Sequence, residues 1–436
     1  MTDKRFTACL LVLAGVFAGG AAHAQLRIEI TSGVTDPIPI AIVPFARSVP
    51  GDGGLDVAAI VQRDLEGSGR FRPMARADMI ESPSRAADVV VADWRTARND
   101  YIVVGRVLPG EAGAVQIEVE LVNLVNGQRL AGRRFVAAPG SLREAAHQVS
   151  DLVYEQVLGV PGAFATRIAY VAVEGRPPRQ TYKLIVADAD GEQARTVAES
   201  SLPLMSPAWS PDGEWLAYVS FESHASAIWL QRVRTGERRR LLARPGINGS
   251  PTFDPVKGER LAVTLSTASG NLDIYLVGIA DGALTRITSD PAIDTEATFS
   301  ADGRSLYFTS DRAGSPQVYR AEASANAPAK RVTFTGSYNA RPRLSPDGKQ
   351  LAMVTLAGGG YRVAVQDLAT GVVRPLSKGP LDESPSFAPN GAMLIYAGRE
   401  RGQGVLATVA IDGLTTQRLK AEQGEVREPV WGPRRP

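Results

Sequence analysis

The chain has 436 residues, of which 44% are hydrophobic and 22% charged, with 48 Lys and Arg against 46 Asp and Glu. That length and apolar share suffice for two domains with cores of their own, while so even a charge balance lacks the basic surplus of a nucleic-acid binder. The only cysteine, Cys9, lies in the first apolar run, which excludes disulfides, cysteine nucleophiles and thiolate metal sites from the rest of the chain.

Residues 1–24 read as a cleaved signal peptide. Lys4 and Arg5 form a positive start, Phe6 to Phe17 an apolar run too short to span a bilayer, and Ala22-His23-Ala24 a small-residue cleavage site. Cleavage before Gln25 is expected. No later apolar run reaches membrane-spanning length, so the exported product is expected to be soluble.

Residues 25–160 carry no internal repeat and read as a small α/β domain. Leu26, Ile28 and Ile30 alternate with Arg27 and Glu29 as in a half-buried strand, and Ile38 to Phe45 forms a more continuous apolar strand. Leu55, Ala58, Ile60, Val61 and Leu65 fall at helical spacing, closed by Gly67-Ser68-Gly69. Strands are expected at Tyr101 to Val107 and Val115 to Leu124, the second turning at Asn126-Gly127 into Arg129 to Val136. Ser141-Leu142-Arg143-Glu144 has the pattern of a capping box opening a helix to about Leu158. Gly159-Val160-Pro161-Gly162 forms the hinge to the C-terminal part of the chain.

Residues 161–436 are governed by a repeat. Pro207-Ala208-Trp209, Pro251-Thr252-Phe253, Ala297-Thr298-Phe299, Pro342-Arg343-Leu344, Pro385-Ser386-Phe387 and Pro429-Val430-Trp431 return at intervals of 44, 46, 45, 43 and 44 residues. Such a period predicts a β-propeller with one four-stranded blade per repeat, each copy read as the start of a first strand. Turns such as Ser210-Pro211-Asp212-Gly213 and Pro346-Asp347-Gly348 combine the fixed φ of Pro, the side-chain acceptor of Asp and the positive φ open to Gly. The run Ile168-Ala169-Tyr170-Val171 has no first strand before it, and Pro429-Val430-Trp431 has almost no chain after it. The fragments complement each other, predicting six blades closed by the C-terminal strand with Trp431 largely buried. The expected fold class is thus an α/β N-terminal domain followed by a six-bladed β-propeller, mainly β overall.

Catalysis finds little support. No Gly-x-Ser-x-Gly elbow occurs, and beyond the signal peptide only His147, in a predicted helix, and His224, in a predicted loop, are available as bases. No catalytic residue is assigned. The rival reading is a propeller-type periplasmic hydrolase or a small-ligand-binding protein using the channel. Asp294, Glu296, Asp382, Glu383 and Glu428 sit at the start of repeats, where they would gather at one mouth. A calcium ion there would use carboxylate oxygens; the plainer reading is an acidic rim balanced by Arg341 and Arg427, with no cofactor and no metal.

Three segments resemble the TolB family of periplasmic propeller proteins of the Tol-Pal system. They are residues 162–171, residues 204–213 and Leu381-Asp382-Glu383-Ser384-Pro385, joined by the start Leu26-Arg27-Ile28-Glu29-Ile30-Thr31-Ser32-Gly33-Val34. Ala297 in place of the repeat proline, the longer turn Asp254-Pro255-Val256-Lys257-Gly258, and Ile247 at a rim position depart from the pattern. The resemblance implies a non-enzymatic periplasmic adaptor, peripheral to the membrane through its partners, that links the inner-membrane protein TolA with the peptidoglycan-associated lipoprotein Pal. The implied roles are outer-membrane invagination during cell division and outer-membrane integrity. It implies that the segment Leu26 to Val34 binds TolA and that the propeller mouth binds Pal. Sharing one phase of the repeat, the candidate mouth residues are Met205, Asn248, Ser250, Thr295, Glu296, Arg341, Asp382, Glu383 and Arg427.

Overall fold

A computed structural model describes residues 36–49, 54–421 and 424–434. The expected signal peptide and the candidate TolA-binding segment Leu26 to Val34 lie outside the described residues.

The first domain is built on strands β1 (Ile38–Ile42), β2 (Ala46–Arg47), β3 (Phe71–Pro73), β4 (Tyr101–Pro109), β5 (Val115–Asn123) and β6 (Arg129–Ala137), with helices α1 (Val57–Gly67), α2 (Val91–Thr96) and α3 (Leu142–Leu158). The sheet runs β3-β1-β4-β5-β6, with β2 also paired to β4. Alternation along β5 explains its two faces. Ile117, Val119 and Leu121 pack with Val61 and Leu65 of α1 and Val149 and Val153 of α3, while Val122 and Leu124 join Trp94 of α2 on the other side. Each enclosed aliphatic side chain contributes about 1.5–3 kcal/mol.

Differences from the sequence reading lie at element ends. Asp56 caps α1 by accepting from the Ala59 N–H at 3.0 Å. Ser141 makes no such bond, because its backbone (φ −102°, ψ 12°) is turned away from the extended conformation of an N-cap, so the expected capping box does not form. The strand from Ile38 ends at Ile42, with one further bond from the Val43 N–H to the Val103 carbonyl at 3.0 Å, and the short β3 and α2 are too brief to show a period. Gly159, at φ 72°, ends α3.

The propeller consists of six four-stranded sheets. In blade two the innermost strand is Leu204–Trp209, followed outward by Trp215–Ser220, Ala227–Arg232 and Arg238–Leu242. Blade one is closed as expected: Glu425–Trp431 pairs antiparallel with Arg167–Arg176, with Val430 opposite Ala169 and Trp431 opposite Ile168. Trp431 is half-buried rather than buried, its indole Nε1 donating to Thr166 Oγ1 at 2.8 Å. At the Pro-Asp-Gly turn of blade two, Ser210 Oγ donates to Asp212, Asp212 accepts from the Glu214 N–H at 2.9 Å, and Gly213 takes φ 67°.

A correction concerns the repeated prolines. They lie inside the innermost strands, not at their starts: Pro207 is the fourth residue of Leu204–Trp209. Each innermost strand carries a register shift there, as between Met205 and Ala208. Proline tolerates this place because the bulge asks no ladder hydrogen bond of its missing N–H.

The first domain sits against the face of the propeller that carries the Pro-Asp-Gly turns, at blades one and six. Arg70 pairs with Asp412 at 3.1 Å, and Asn390 Nδ2 donates to the Pro161 carbonyl at 3.2 Å. The backbone approach is tight at Gly69, where a Cβ would stand 1.9 Å from Thr415 Oγ1 and φ is 68°; only glycine satisfies both demands. The opposite face is free of the first domain.

Candidate functional site at the propeller mouth

The bulges shape the centre of the free face. Immediately before each repeated proline, or Ala297, one residue takes a left-handed backbone: Ser206, Ser250, Glu296, Arg341, Ser384 and Glu428, with φ between 46° and 58°. For side chains other than glycine this conformation costs about 1–2 kcal/mol, so its sixfold recurrence is a constraint of the blade and not an accident of one loop. These residues ring a cavity of about 280 Å³ at the channel, which also takes in Met205, Thr295 and Arg343.

Arg341 organises the ring. Its Nε donates to Glu296 at 2.9 Å and its Nη1 to Ser384 Oγ, while Glu383 and Glu428 lie 3.9 Å away. The backbone N–H of Arg341 donates to Thr309 Oγ1 at 3.0 Å and to Glu296 at 3.2 Å, and the Ser206 N–H donates to Glu428. Burial works against the Arg341 charge, but Glu296, Glu428 and Glu383 outweigh it and hold the guanidinium above its ordinary pKa.

Around this polar centre stands an apolar rim written by a second repeat. Ile247, Ile293, Tyr338 and Leu381 each precede an enclosed Asn248, Asp294, Asn339 or Asp382. The enclosed residue ties down the loop and leaves its neighbour outward. Asn248 Nδ2 donates to the Ser226 and Arg244 carbonyls at 3.0 and 2.7 Å, Asn339 Nδ2 donates to the Thr335 carbonyl at 2.8 Å, and Asp382 accepts from the Gly379 N–H at 2.8 Å. Ile247 and Ile293 are each 47% exposed and Leu381 39%.

The nine candidate mouth residues therefore divide. Met205, Ser250, Thr295, Glu296 and Arg341 share the cavity; Glu383 flanks Arg341, and Arg427 is exposed and pairs with Glu425 at 2.9 Å. Asn248 and Asp382 are enclosed and hold loops. Sequence reasoning did not single out Ser206, Arg343 or Ser384 for the ring, nor the rim residues Ile293 and Tyr338. The signal was present, since Ser206 and Ser384 directly precede a repeated proline.

The carboxylates considered for calcium do not form one open ligand set. Asp294 accepts from Arg312 Nη2 through both oxygens, at 2.8 and 2.7 Å, and Asp382 is turned into its loop. Glu296, Glu383 and Glu428 surround Arg341, whose guanidinium stands where a cation would be held. This donor set does not fit a hard dication that takes six to eight oxygens. His147 lies 2.7 Å from Asp64 as a base beside an orienting carboxylate would, but its Nε2 is enclosed and has no hydrogen-bond partner among the described residues.

Family models for the TolB amino-terminal domain and the TolB beta propeller domain match residues 26–130 and 154–435. The chain is 45% identical over 434 residues to the Tol-Pal system protein TolB of Xanthomonas oryzae pv. oryzae (strain KACC10331 / KXO85), covering 99% of this chain and 98% of that protein. The relative from Xanthomonas axonopodis pv. citri (strain 306) is likewise 45% identical with the same coverage. A crystal structure of TolB from Acinetobacter baumannii superposes with a TM-score of 0.85 at 41% identity, covering 94% of this chain and all of that one.

Proposed function

The chain belongs to the TolB family, and from that premise we propose that it is a non-enzymatic periplasmic adaptor of the Tol-Pal system. It takes the lipoprotein Pal at the propeller mouth and TolA through residues 26–34, and so serves outer-membrane invagination at division and outer-membrane integrity. The observation that carries the reading is the free face itself: a concave polar centre inside an apolar rim, while the first domain occupies the opposite face. Exposed apolar side chains such as Ile247, Ile293 and Leu381 offer surface that a protein partner would bury, and a few such anchors dominate the energy of a specific contact. The relatives are named as components of a system and not as enzymes, which agrees with the enclosed Nε2 of His147. No helix among the described residues is long and apolar enough to cross a membrane.

The test is capture by immobilised Pal and TolA periplasmic domains. The mature chain is expected to bind both, and a chain lacking residues 25–34 is expected to keep its melting temperature and Pal binding but lose TolA. Equal loss of both partners from that truncation would refute the assignment of the contacts to separate parts of the chain.

A further inference from the structure

The seam between the two domains holds a polar cluster that the mouth does not use. Asp64, on α1, accepts from Ser150 Oγ and lies 2.7 Å from His147 Nδ1, both on α3. Across the seam, Asp188 and Asp190 come from the end of the strand Arg179–Asp188 of blade one and the turn after it. Arg143 reaches them from α3, its Nε donating to Asp188 at 2.9 Å and its Nη2 to Asp190. His147 and Asp64 are 2% and 3% exposed at their side chains, and the second imidazole nitrogen, Nε2, is enclosed without a hydrogen-bond partner, 3.9 Å from Asp188 Oδ2. One ring thus stands between a carboxylate of each domain, bonded to the first and just short of the second.

Charge decides what the ring must carry. Within the contacts of this cluster three carboxylates face one guanidinium, so a neutral His147 leaves an excess of negative charge beside an enclosed ring, where unpaired charge is costly. A proton on Nε2 would offset part of that excess and turn an orphaned lone pair into a donor aimed at Asp188.

We infer that His147 is the proton switch of a latch between the two domains: protonated, it bridges Asp64 and Asp188 and clamps the first domain onto blade one; deprotonated, it leaves that seam to Arg143. Burial pushes the imidazole down, but the charge and hydrogen bond of Asp64, with Asp190 behind, outweigh burial and the nearby Arg143, so His147 stands above its ordinary value. A further titratable neighbour is Asp151, one turn along α3, which accepts from the Phe164 and Ala165 N–H groups and is pushed up to about 6 by burial; Arg63 of α1 lines one cavity with Asp64 and Asp190, and Arg167 lies opposite Asp188 on the neighbouring strand. A raised histidine pKa means the clamp is complete below about pH 6.5, the unfolded value, and is released as pH rises through the higher folded value. Although the ligand atoms of Asp64, His147 and Asp190 lie within 4.8 Å of one another, Arg143 already engages Asp188 and Asp190, which favours a proton over a metal ion. The latch is independent of which partners the mouth takes.

The experiment is electron–electron distance measurement on the mature chain carrying Val125→Cys and Val372→Cys spin labels, both exposed sites, one in each domain, with imidazole titration by NMR. The wild-type distribution is expected to be narrow at acidic pH and to broaden with the midpoint of His147 titration. His147→Gln, verified as folded by circular dichroism, is expected to be broad throughout, and Asp188→Asn to lower the midpoint. A distribution indifferent to pH while His147 titrates, or a pH response that survives in His147→Gln, would overturn the latch. Narrowing by added zinc in the wild type but not in His147→Gln would replace the proton with a metal.

Discussion

Arg341 shows how one side chain can take the place expected of a bound ion. It draws Glu296, Glu383 and Glu428 together and bonds Ser384, so four of the blades meet at one guanidinium. Removing it would leave Glu296 and Glu428 facing each other in a partly desolvated channel. Arg341→Met is expected to cost about 1–3 kcal/mol in chemical denaturation, and Glu296→Gln in the same chain should recover part of that loss. Millimolar calcium is expected to leave the wild-type melting temperature unchanged, because the carboxylates are already paired. A rise reversed by EDTA would show that the ion displaces the arginine.

At the scale of elements, the informative piece is the last strand. Glu425–Trp431 supplies the innermost strand of blade one, and without it Arg167–Arg176 would present an open edge. A chain ending at residue 424 is therefore expected to lose cooperative unfolding of the propeller, as read by calorimetry; an unchanged transition would contradict closure by this strand. Trp431→Ala is expected to cost about 2–3 kcal/mol, below the 3–5 kcal/mol of a fully buried large-to-small change, because the indole is only half-buried. The closing strand was legible because two incomplete copies of one repeat sat at the two ends of the propeller segment. Its depth of burial was not, since that depends on how the end of the chain lies against Thr166 and the blade-six strand around Ser386. The capping box at Ser141 failed for a similar reason: the motif was present, but the preceding turn placed Ser141 in a conformation from which its side chain could not cap.

In the whole molecule, the first domain sits on the turn face of the propeller at blades one and six, with the mouth on the opposite face. Given the proposed Pal site, at least one of Ile247→Ala, Ile293→Ala, Tyr338→Ala and Leu381→Ala should weaken Pal capture by about 2 kcal/mol, or roughly thirtyfold, without lowering the melting temperature. Asp302→Ala and Asp347→Ala, on the turn face, should spare it. Loss of binding from folded turn-face variants, with none from the rim, would move the site to the other side.

The spacing of the prolines and turns was enough to determine the number of blades and the way the ring closes, and local apolar patterns the α/β character of the first domain, because strand and turn preferences are local. Family resemblance lay in contiguous segments and was equally readable. Tertiary structure alone decided which residues of a shared repeat phase face outward: Asn248 and Asp382 turn into their loops, while Ile293 and Glu296 reach the rim and the channel. It also decided the seam, where His147 meets Asp64 across 83 residues of chain and Asp188 across a domain boundary. Periodicity places a residue within its element; burial, charge pairing and the choice of partner depend on surfaces that exist only after distant elements have packed together.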